Sequence, residues 1–472
     1  MSQLFRRISY LPRADLRSIR SVGVHNRILA GGLVLGLIAG MILTGRATEA
    51  ATWKYSFGAG PVPPGYVAVL PSAAYTPENG FGFDFGSAVT GVDRGGADRL
   101  HGHFVTSDRP FFFSIRLPEG NYTVTVTLGD AAGESVTTVK AESRRLMLEK
   151  VATAPGQFAT RAFTVNIRDS RVPPPPPNAP GGDHVDLNSR EKENGPGGMV
   201  LDWDDKLTLE FSNTRPCLDA LEIVRAEDVP TVFLVGDSTV TDQPREPGAS
   251  WGQMLPRFFK PGVAVANHAE SGETLKSFIT GLRFAKVLSE MKKGDYLLIQ
   301  FGHNDEKRNW PQTYVEAHTT YKAYLKVFAA EARLRGATPV LVTSMQRRQF
   351  DAVGRIQNSH GDYPDTVLEV AREEGLALID LDLMSRAFYE AMGPQQAPLA
   401  FSNGGRDATH HDNYGAYELA KCVVEGIRSN HLPLARFVVD DFTGFDPAHP
   451  DPVEHFDLPA SPLRTDQAPR GN

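Results

Sequence analysis

Thr231-Val-Phe-Leu-Val-Gly-Asp-Ser-Thr239 is an apolar run that passes directly into a small polar turn. A short apolar stretch without polar alternation reads as a strand buried on both faces, as in a parallel sheet. Val263–Ala266, Tyr296–Phe301, Val340–Thr343 and Leu376–Ile379 repeat that form downstream. Between them, Leu275–Met291 and Val315–Leu334 carry apolar residues at three- and four-residue spacing, and Asn413–Ile427 reads as a last helix. Strand alternating with helix predicts an α/β domain over 229–432, a three-layer α/β/α doubly wound parallel sheet.

Active sites of such sheets collect at the carboxyl ends of the strands. Four polar blocks lie where that rule puts them. The first strand ends in Gly236-Asp237-Ser238-Thr239, and the second leads to Asn267-His268-Ala269-Glu270-Ser271-Gly272-Glu273-Thr274. The third ends in Gly302-His303-Asn304-Asp305, and Asp407-Ala408-Thr409-His410 precedes the last helix. A serine hydroxyl attacks a carbonyl competently only when a base takes its proton. Ser238 fits the nucleophile and His410 the base, with Asp407 three residues away to orient and stabilise the imidazolium. His303 reads as a structural hydrogen-bonding residue, His411 as a decoy, and Asp237 as the organiser of its turn.

These blocks resemble those of the SGNH (GDSL-type) hydrolases, a flavodoxin-like fold, and in detail the rhamnogalacturonan acetylesterase branch. The resemblance covers 231–430. It implies an oxyanion hole made of the backbone N–H groups of Ser238 and Gly272 and the side-chain amide of Asn304. One departure is Ser271-Gly272-Glu273-Thr274, where many members have Gly-Gly-Arg-Ser; Glu273 in place of Arg would alter sugar contacts. Gln346–Phe350 and Ser359–Tyr363 follow the fourth strand and sit at the same rim. Arg347, Arg348 and His360 in them are candidate contacts to a polyanionic sugar with uronate carboxylates.

Upstream, the periodicity changes to two. Tyr122, Val124, Val126 and Leu128 alternate with polar residues, as do Phe163, Val165 and Ile167, and Leu207, Leu209 and Phe211. Half-buried antiparallel strands carry that pattern, predicting an all-β sandwich over 53–226. Its Phe83-Asp84-Phe85-Gly86, Val139–Arg145 and Trp203–Leu207 segments resemble the galactose-binding-like domain that precedes such esterases. Val172–Gly182 is a proline-rich insertion expected in polyproline II form. Residues 433–472 form a proline-rich C-terminal tail, its last thirty residues expected as a coil draped over the surface.

Residues 1–50 hold seven arginines against Asp15 and Glu49, and Ile28–Thr44 is uncharged. At about 1.5 Å per residue this run falls a little short of a bilayer core. It reads as a signal peptide or signal anchor, which exports the rest of the chain as a periplasmic, secreted or inner-membrane-anchored protein. The 472 residues carry 49 Lys+Arg and 56 Asp+Glu, a net charge of −7, which argues against a nucleic-acid partner. Two distant cysteines, Cys217 and Cys422, form neither a disulfide framework nor a zinc site. No histidine pair has metal-ligand spacing supported by a further carboxylate or cysteine pattern, and no metal or other cofactor is assigned.

The reading is an exported serine esterase that deacetylates a plant cell-wall polysaccharide, rhamnogalacturonan foremost, through an acetyl-enzyme. Rivals are an acetylesterase on xylan or another glycan, a lipase or thioesterase, and a non-catalytic carbohydrate-binding protein.

Overall fold

The computed structural model describes residues 51–172, 185–187 and 201–465. The apolar run Ile28–Thr44, the proline-rich stretch after Val172 and the last seven residues lie outside the described residues.

The five apolar runs form one sheet. Its strands are β1 (Thr231–Gly236), β2 (Ala264–Asn267), β3 (Tyr296–Gln300), β4 (Thr338–Val342) and β5 (Ala377–Ile379), in spatial order β2-β1-β3-β4-β5 and parallel throughout. The runs are unbroken because both faces are covered. Val232 and Leu234 face a core completed by Trp251, Phe388, Leu419 and Val423, whereas Phe233 and Val235 face a second core with Phe278, Phe284, Phe328 and Val367. The covering helices are α1 (Trp251–Met254), α2 (Leu275–Thr280), α3 (Arg283–Glu290), α4 (Lys322–Leu334), α5 (Tyr363–Glu374), α6 (Leu381–Gln396) and α7 (Asn413–Ser429). The helix expected over Leu275–Met291 is two helices, broken at Gly281 and at Leu282, whose φ is 63°. The break aims Arg283 inward: its guanidinium donates to the His268 carbonyl at 2.8 Å and lies 2.7 Å from Glu270.

The front of the chain builds two five-stranded sheets. One aligns Phe158–Ile167, Gly120–Gly129, Ala220–Arg225, Thr52–Phe57 and Val67–Val69; the other aligns Phe81–Asp84, Phe111–Arg116, Lys206–Ser212, Ser135–Ala141 and Arg145–Thr153. The alternating apolar residues meet between them in a single core that includes Tyr122, Val124, Phe163, Leu207 and Phe211.

The expectation that the opposite face is solvated fails for the second sheet. Thr208, Glu210, Ser212 and Lys140 are all buried. A buried ammonium must be paired and hydrogen-bonded, and Lys140 Nζ donates to the Pro459 carbonyl at 2.6 Å and to Ser461 Oγ at 3.0 Å, with Glu210 at 3.4 Å. The tail is therefore not simply draped. Its Phe456 and Leu458 pack on the hydrolase core, and Ser461 is seated against the sandwich.

Four buried arginines and Trp203 line the seam between the sandwich and the α/β layers. Arg168 lies 2.8 Å from Asp202 and 3.2 Å from Asp242, and Arg145 lies 3.3 Å from Asp242. The Trp203 ring is flanked by Arg168 and Arg283 at 4.7 and 4.9 Å. Arg144 is the fourth.

Candidate active site

Strand order places the site. β1 lies between β2 and β3, so the loop after β1 is flanked by the loops after both neighbours, at the point where the strand order reverses. Ser238 follows β1, Gly272 follows β2 and Asn304 follows β3. Gly236 allows the close approach at the end of β1: a Cβ there would stand 2.6 Å from the Gln300 carbonyl oxygen. Asp237 then accepts from the Thr239 N–H at 3.0 Å and the Thr239 hydroxyl at 2.8 Å, ordering the turn that presents Ser238. Burial would raise the Asp237 carboxyl, but nearby His303 and the two Thr239 donors prevail and hold it below the usual range.

The structure brings the three widely separated residues together. His410 Nε2 lies 2.8 Å from Ser238 Oγ, and His410 Nδ1 lies 2.9 Å from Asp407 Oδ2. Asp407 also accepts from the backbone N–H groups of Thr409 at 2.8 Å and His410 at 3.0 Å. Burial opposes ionisation of Asp407, yet the His410 ring and these N–H groups win and hold its carboxyl well below the ordinary range. It is therefore a permanent anion under the imidazole, the state that stabilises a positive ring.

His411, the neighbour, points elsewhere. Its Nε2 meets the Tyr389 hydroxyl at 2.7 Å, and burial pushes its pKa down to about 3. His303 is also buried, with its pKa lowered to about 4 by desolvation, and its ring packs edge-on to His360.

Gly272 has φ of +85°, the left-handed region that suits glycine. Asn304 is held from both ends of its amide: Nδ2 donates to the Glu273 carbonyl at 3.0 Å, and Oδ1 accepts from Lys307 Nζ at 3.1 Å. Glu273 is itself buried, and its carboxylate accepts from Ser277 Oγ at 2.5 Å within the start of α2. Thr274 is the N-cap of α2, and Glu273 stands just before it with its carboxylate held by Ser277.

All three rim candidates are engaged by contacts within the fold. His360 is 1% exposed, with Nδ1 2.9 Å from Glu306 and Nε2 2.9 Å from the Met345 carbonyl. Arg347 is bound to Glu306 at 2.7 Å and donates to the Ser359 and His303 carbonyls. Arg348 donates to the Gly405 carbonyl at 2.5 Å, and its N–H to Ala408 O at 2.8 Å, bracing the loop that carries Asp407. These groups spend their hydrogen bonds inside the fold because the segment folds back against the site instead of standing open.

Sequence reasoning missed four supporting residues. Glu306 gathers Arg347 and His360, and Lys307 sets the Asn304 amide. Gln243 Nε2 donates to the Ser238 carbonyl at 2.6 Å, and Gln300 joins Thr239 Oγ1 to the Trp251 indole N–H, both at 2.8 Å. Adjacency to Ser238 and Asn304 was the available signal for Gln243, Glu306 and Lys307.

This fold and site define a hydrolase of the parallel-sheet kind with a serine, histidine and aspartate in mutual contact. Residues 234–415 match the model of the GDSL-like Lipase/Acylhydrolase family, and residues 53–172 match that of the Beta-agarase/YXIM esterase-like, galactose-binding domain-like family. The chain is 42% identical over 221 residues to rhamnogalacturonan acetylesterase RhgT of Bacillus subtilis, spanning 44% of this chain and 94% of that protein. It is 28% identical over 415 residues to the uncharacterized esterase YxiM of the same organism, spanning 84% of this chain and 96% of that one. The crystal structure of the Bacillus subtilis YxiM protein aligns with TM-score 0.43 at 25% identity, covering 81% of this chain and 99% of that one. The chain belongs to the GDSL-like lipase/acylhydrolase family, an ester hydrolase with a galactose-binding-like domain in front.

Proposed function

We propose that the protein is an exported serine esterase that removes O-acetyl groups from a plant cell-wall polysaccharide, rhamnogalacturonan foremost. The observation that carries this reading is the relay from Ser238 Oγ to His410 Nε2 at 2.8 Å and from His410 Nδ1 to Asp407 at 2.9 Å. Ser238 Oγ attacks the acetyl carbonyl carbon while His410 Nε2 takes its proton, and Asp407 stabilises the imidazolium. The N–H groups of Ser238 and Gly272 and the amide of Asn304 receive the carbonyl oxygen as it becomes an oxyanion. The bond from the carbonyl carbon to the sugar oxygen then breaks, the sugar oxygen takes the proton from His410, and the acetyl group remains on Ser238 as an ester. Water, deprotonated by His410, attacks the acetyl-enzyme, and its collapse returns the proton to Ser238 and frees acetate.

The name of RhgT, to which the chain is 42% identical over 94% of that protein, supports the polysaccharide. Lys307 adds support for an acidic sugar. It has no carboxylate within salt-bridge distance among the described residues and lies 4.7 Å from the Trp310 ring, a cation and an aromatic face close to Asn304. Export follows from the arginine-rich start and the uncharged run Ile28–Thr44.

Acetate release from acetylated rhamnogalacturonan and acetylated xylan, by the protein and by Ser238→Ala, tests both levels. Release from rhamnogalacturonan that Ser238→Ala abolishes is expected. Release from xylan alone overturns the substrate, and near-native release by Ser238→Ala overturns the mechanism.

A further inference from the structure

Arg144 stands where the sandwich strands Ser135–Ala141 and Arg145–Thr153 join, and its side chain is 2% exposed. The turn takes left-handed backbone at Glu142 and Arg144, with φ of 55° and 62°. Non-glycine residues adopt that region at a cost, so the surroundings must hold them there. The guanidinium reaches out of the sandwich into the hydrolase. Nη1 donates to the carbonyls of Gln243 at 3.1 Å and Gly248 at 2.8 Å, while Nη2 donates to Asn413 Oδ1 at 3.0 Å and lies 2.6 Å from Glu246.

Those partners belong to the two loops that carry the reaction. Gln243, Glu246 and Gly248 lie in the loop that follows Ser238, and the Gln243 amide donates to the Ser238 carbonyl at 2.6 Å. Asn413 opens α7 three residues after His410, and its Nδ2 donates to both Glu246 oxygens at 3.1 Å. The Ala249 N–H closes the same pair of loops on the His411 carbonyl at 2.9 Å. The tail seals it from the other side: Ser461 N–H donates to Glu246 Oε1 at 3.0 Å, and Glu246 N–H donates to the Leu463 carbonyl at 2.8 Å.

We propose that Arg144 is a positioning residue for ester hydrolysis, holding the Ser238 loop and the His410 loop at their working separation, so that the sandwich is a working part of the catalytic unit. The inference rests on the reading of Ser238 and His410 given above. A guanidinium suits the task because its planar fork donates in fixed directions to several acceptors and stays charged. The sensitivity is steep, since misplacement by about 1 Å can cost about a hundredfold in rate.

The test is Arg144→Met in the full chain, assayed with a small neutral acetyl ester. The expected result is a fall in kcat of about ten- to a hundredfold with KM little changed. Arg144→Lys should be intermediate, because one ammonium cannot reach both loops in the same directions. Free guanidinium ion at non-denaturing concentration should restore part of kcat in Arg144→Met, and sodium chloride of equal ionic strength should not. Unchanged kcat per folded molecule in Arg144→Met overturns the proposal. If that variant does not fold, Asn413→Leu decides: it removes the side-chain oxygen that accepts from Arg144 Nη2 beside the His410 loop, and native kcat there overturns the proposal equally. Ser238→Ala in the same assay separates the two levels. Hydrolysis by it defeats the reading of the site, whereas its inactivity beside a fully active Arg144 or Asn413 variant defeats the positioning role alone.

Discussion

The Ser238–His410–Asp407 site and the arginine-lined seam beneath it are both buried and both charged, but they use charge in opposite ways. At the site one carboxylate, Asp407, faces one imidazole, and the ring's other nitrogen faces a hydroxyl. A proton can pass along that line. In the seam, Arg145 and Arg168 face Asp242, with Asp202 beyond, and an arginine does not give up its proton. The chain places titratable groups where a proton must move and guanidinium groups where geometry must not. The seam is consequently a fixture rather than a switch.

The site half of that comparison breaks first and hardest. Ser238→Ala should remove about 10⁴-fold or more of kcat on an acetyl ester with the fold intact, because a loop hydroxyl packs little surface. His410→Ala should do nearly the same, and His411→Asn should keep most activity because its contact is the Tyr389 hydroxyl. Steady-state kinetics on the three variants checks this; the reverse order for the two histidines would move the base by one residue.

Away from Arg144, which reaches the two catalytic loops, the seam half should fail in stability rather than chemistry. Arg168→Met leaves Asp202 and Asp242 buried with one counter-charge fewer. Breaking a buried pair costs about 3–5 kcal/mol, enough to lower the melting temperature by about 10 °C. Calorimetry reads this, with kcat per folded molecule expected within about threefold of native. A large kcat loss without a melting shift would mean that the seam and the site are not separate in kind.

The two regions also differed in how much of them could be read in advance. The meeting of Ser238, His410 and Asp407 was legible because each lies in a short local block, Gly236–Thr239 or Asp407–His410, and the Ala249 N–H donating to the His411 carbonyl at 2.9 Å ties the two loops together. The seam was not. Thr208, Glu210 and Lys140 occupy the polar positions of alternating strands, and alternation cannot say whether a polar face meets water or another buried polar face. The partners of the rim candidates were hidden for a related reason. Composition marked Arg347, Arg348 and His360 as charged, but partner choice is tertiary, and Glu306 and the Gly405 carbonyl had already claimed the arginines. The helix break at Leu282 was missed because the apolar spacing continues across it; the inward reach of Arg283 decides it.

Asn304 lies between the two behaviours, a neutral group oriented by a fixed charge. Asn304→Ala should lower kcat by about 10²–10³, about 2.7–4 kcal/mol, with less effect on KM. Lys307→Met should give a smaller loss of the same kind, because the ammonium at 3.1 Å keeps the amide nitrogen turned toward the Glu273 carbonyl and the site. A change confined to KM in Asn304→Ala would make it a ground-state binder.

The smallest effect concerns a histidine that touches neither the hydroxyl nor the seam. His303 is buried beside Asp237, 3.5 Å away, and desolvation lowers its pKa to about 4, so it is neutral in the folded protein at neutral pH. In the unfolded chain a histidine titrates at about 6.5. Between those values the unfolded state takes up a proton that the folded state refuses, so stability falls as pH drops through about 6.5 and stops falling below about 4. At pH 5 the gap amounts to about 2 kcal/mol for this one group. His303→Gln keeps a polar side chain there and removes the titration. Its stability relative to the native protein should therefore rise by up to about 2 kcal/mol between pH 7.5 and pH 5, read from urea unfolding at the two pH values. Equal acid sensitivity in the native protein and His303→Gln would mean that the folded site accepts a proton at His303, and the boundary between mobile and fixed charge would then run through His303 rather than around it.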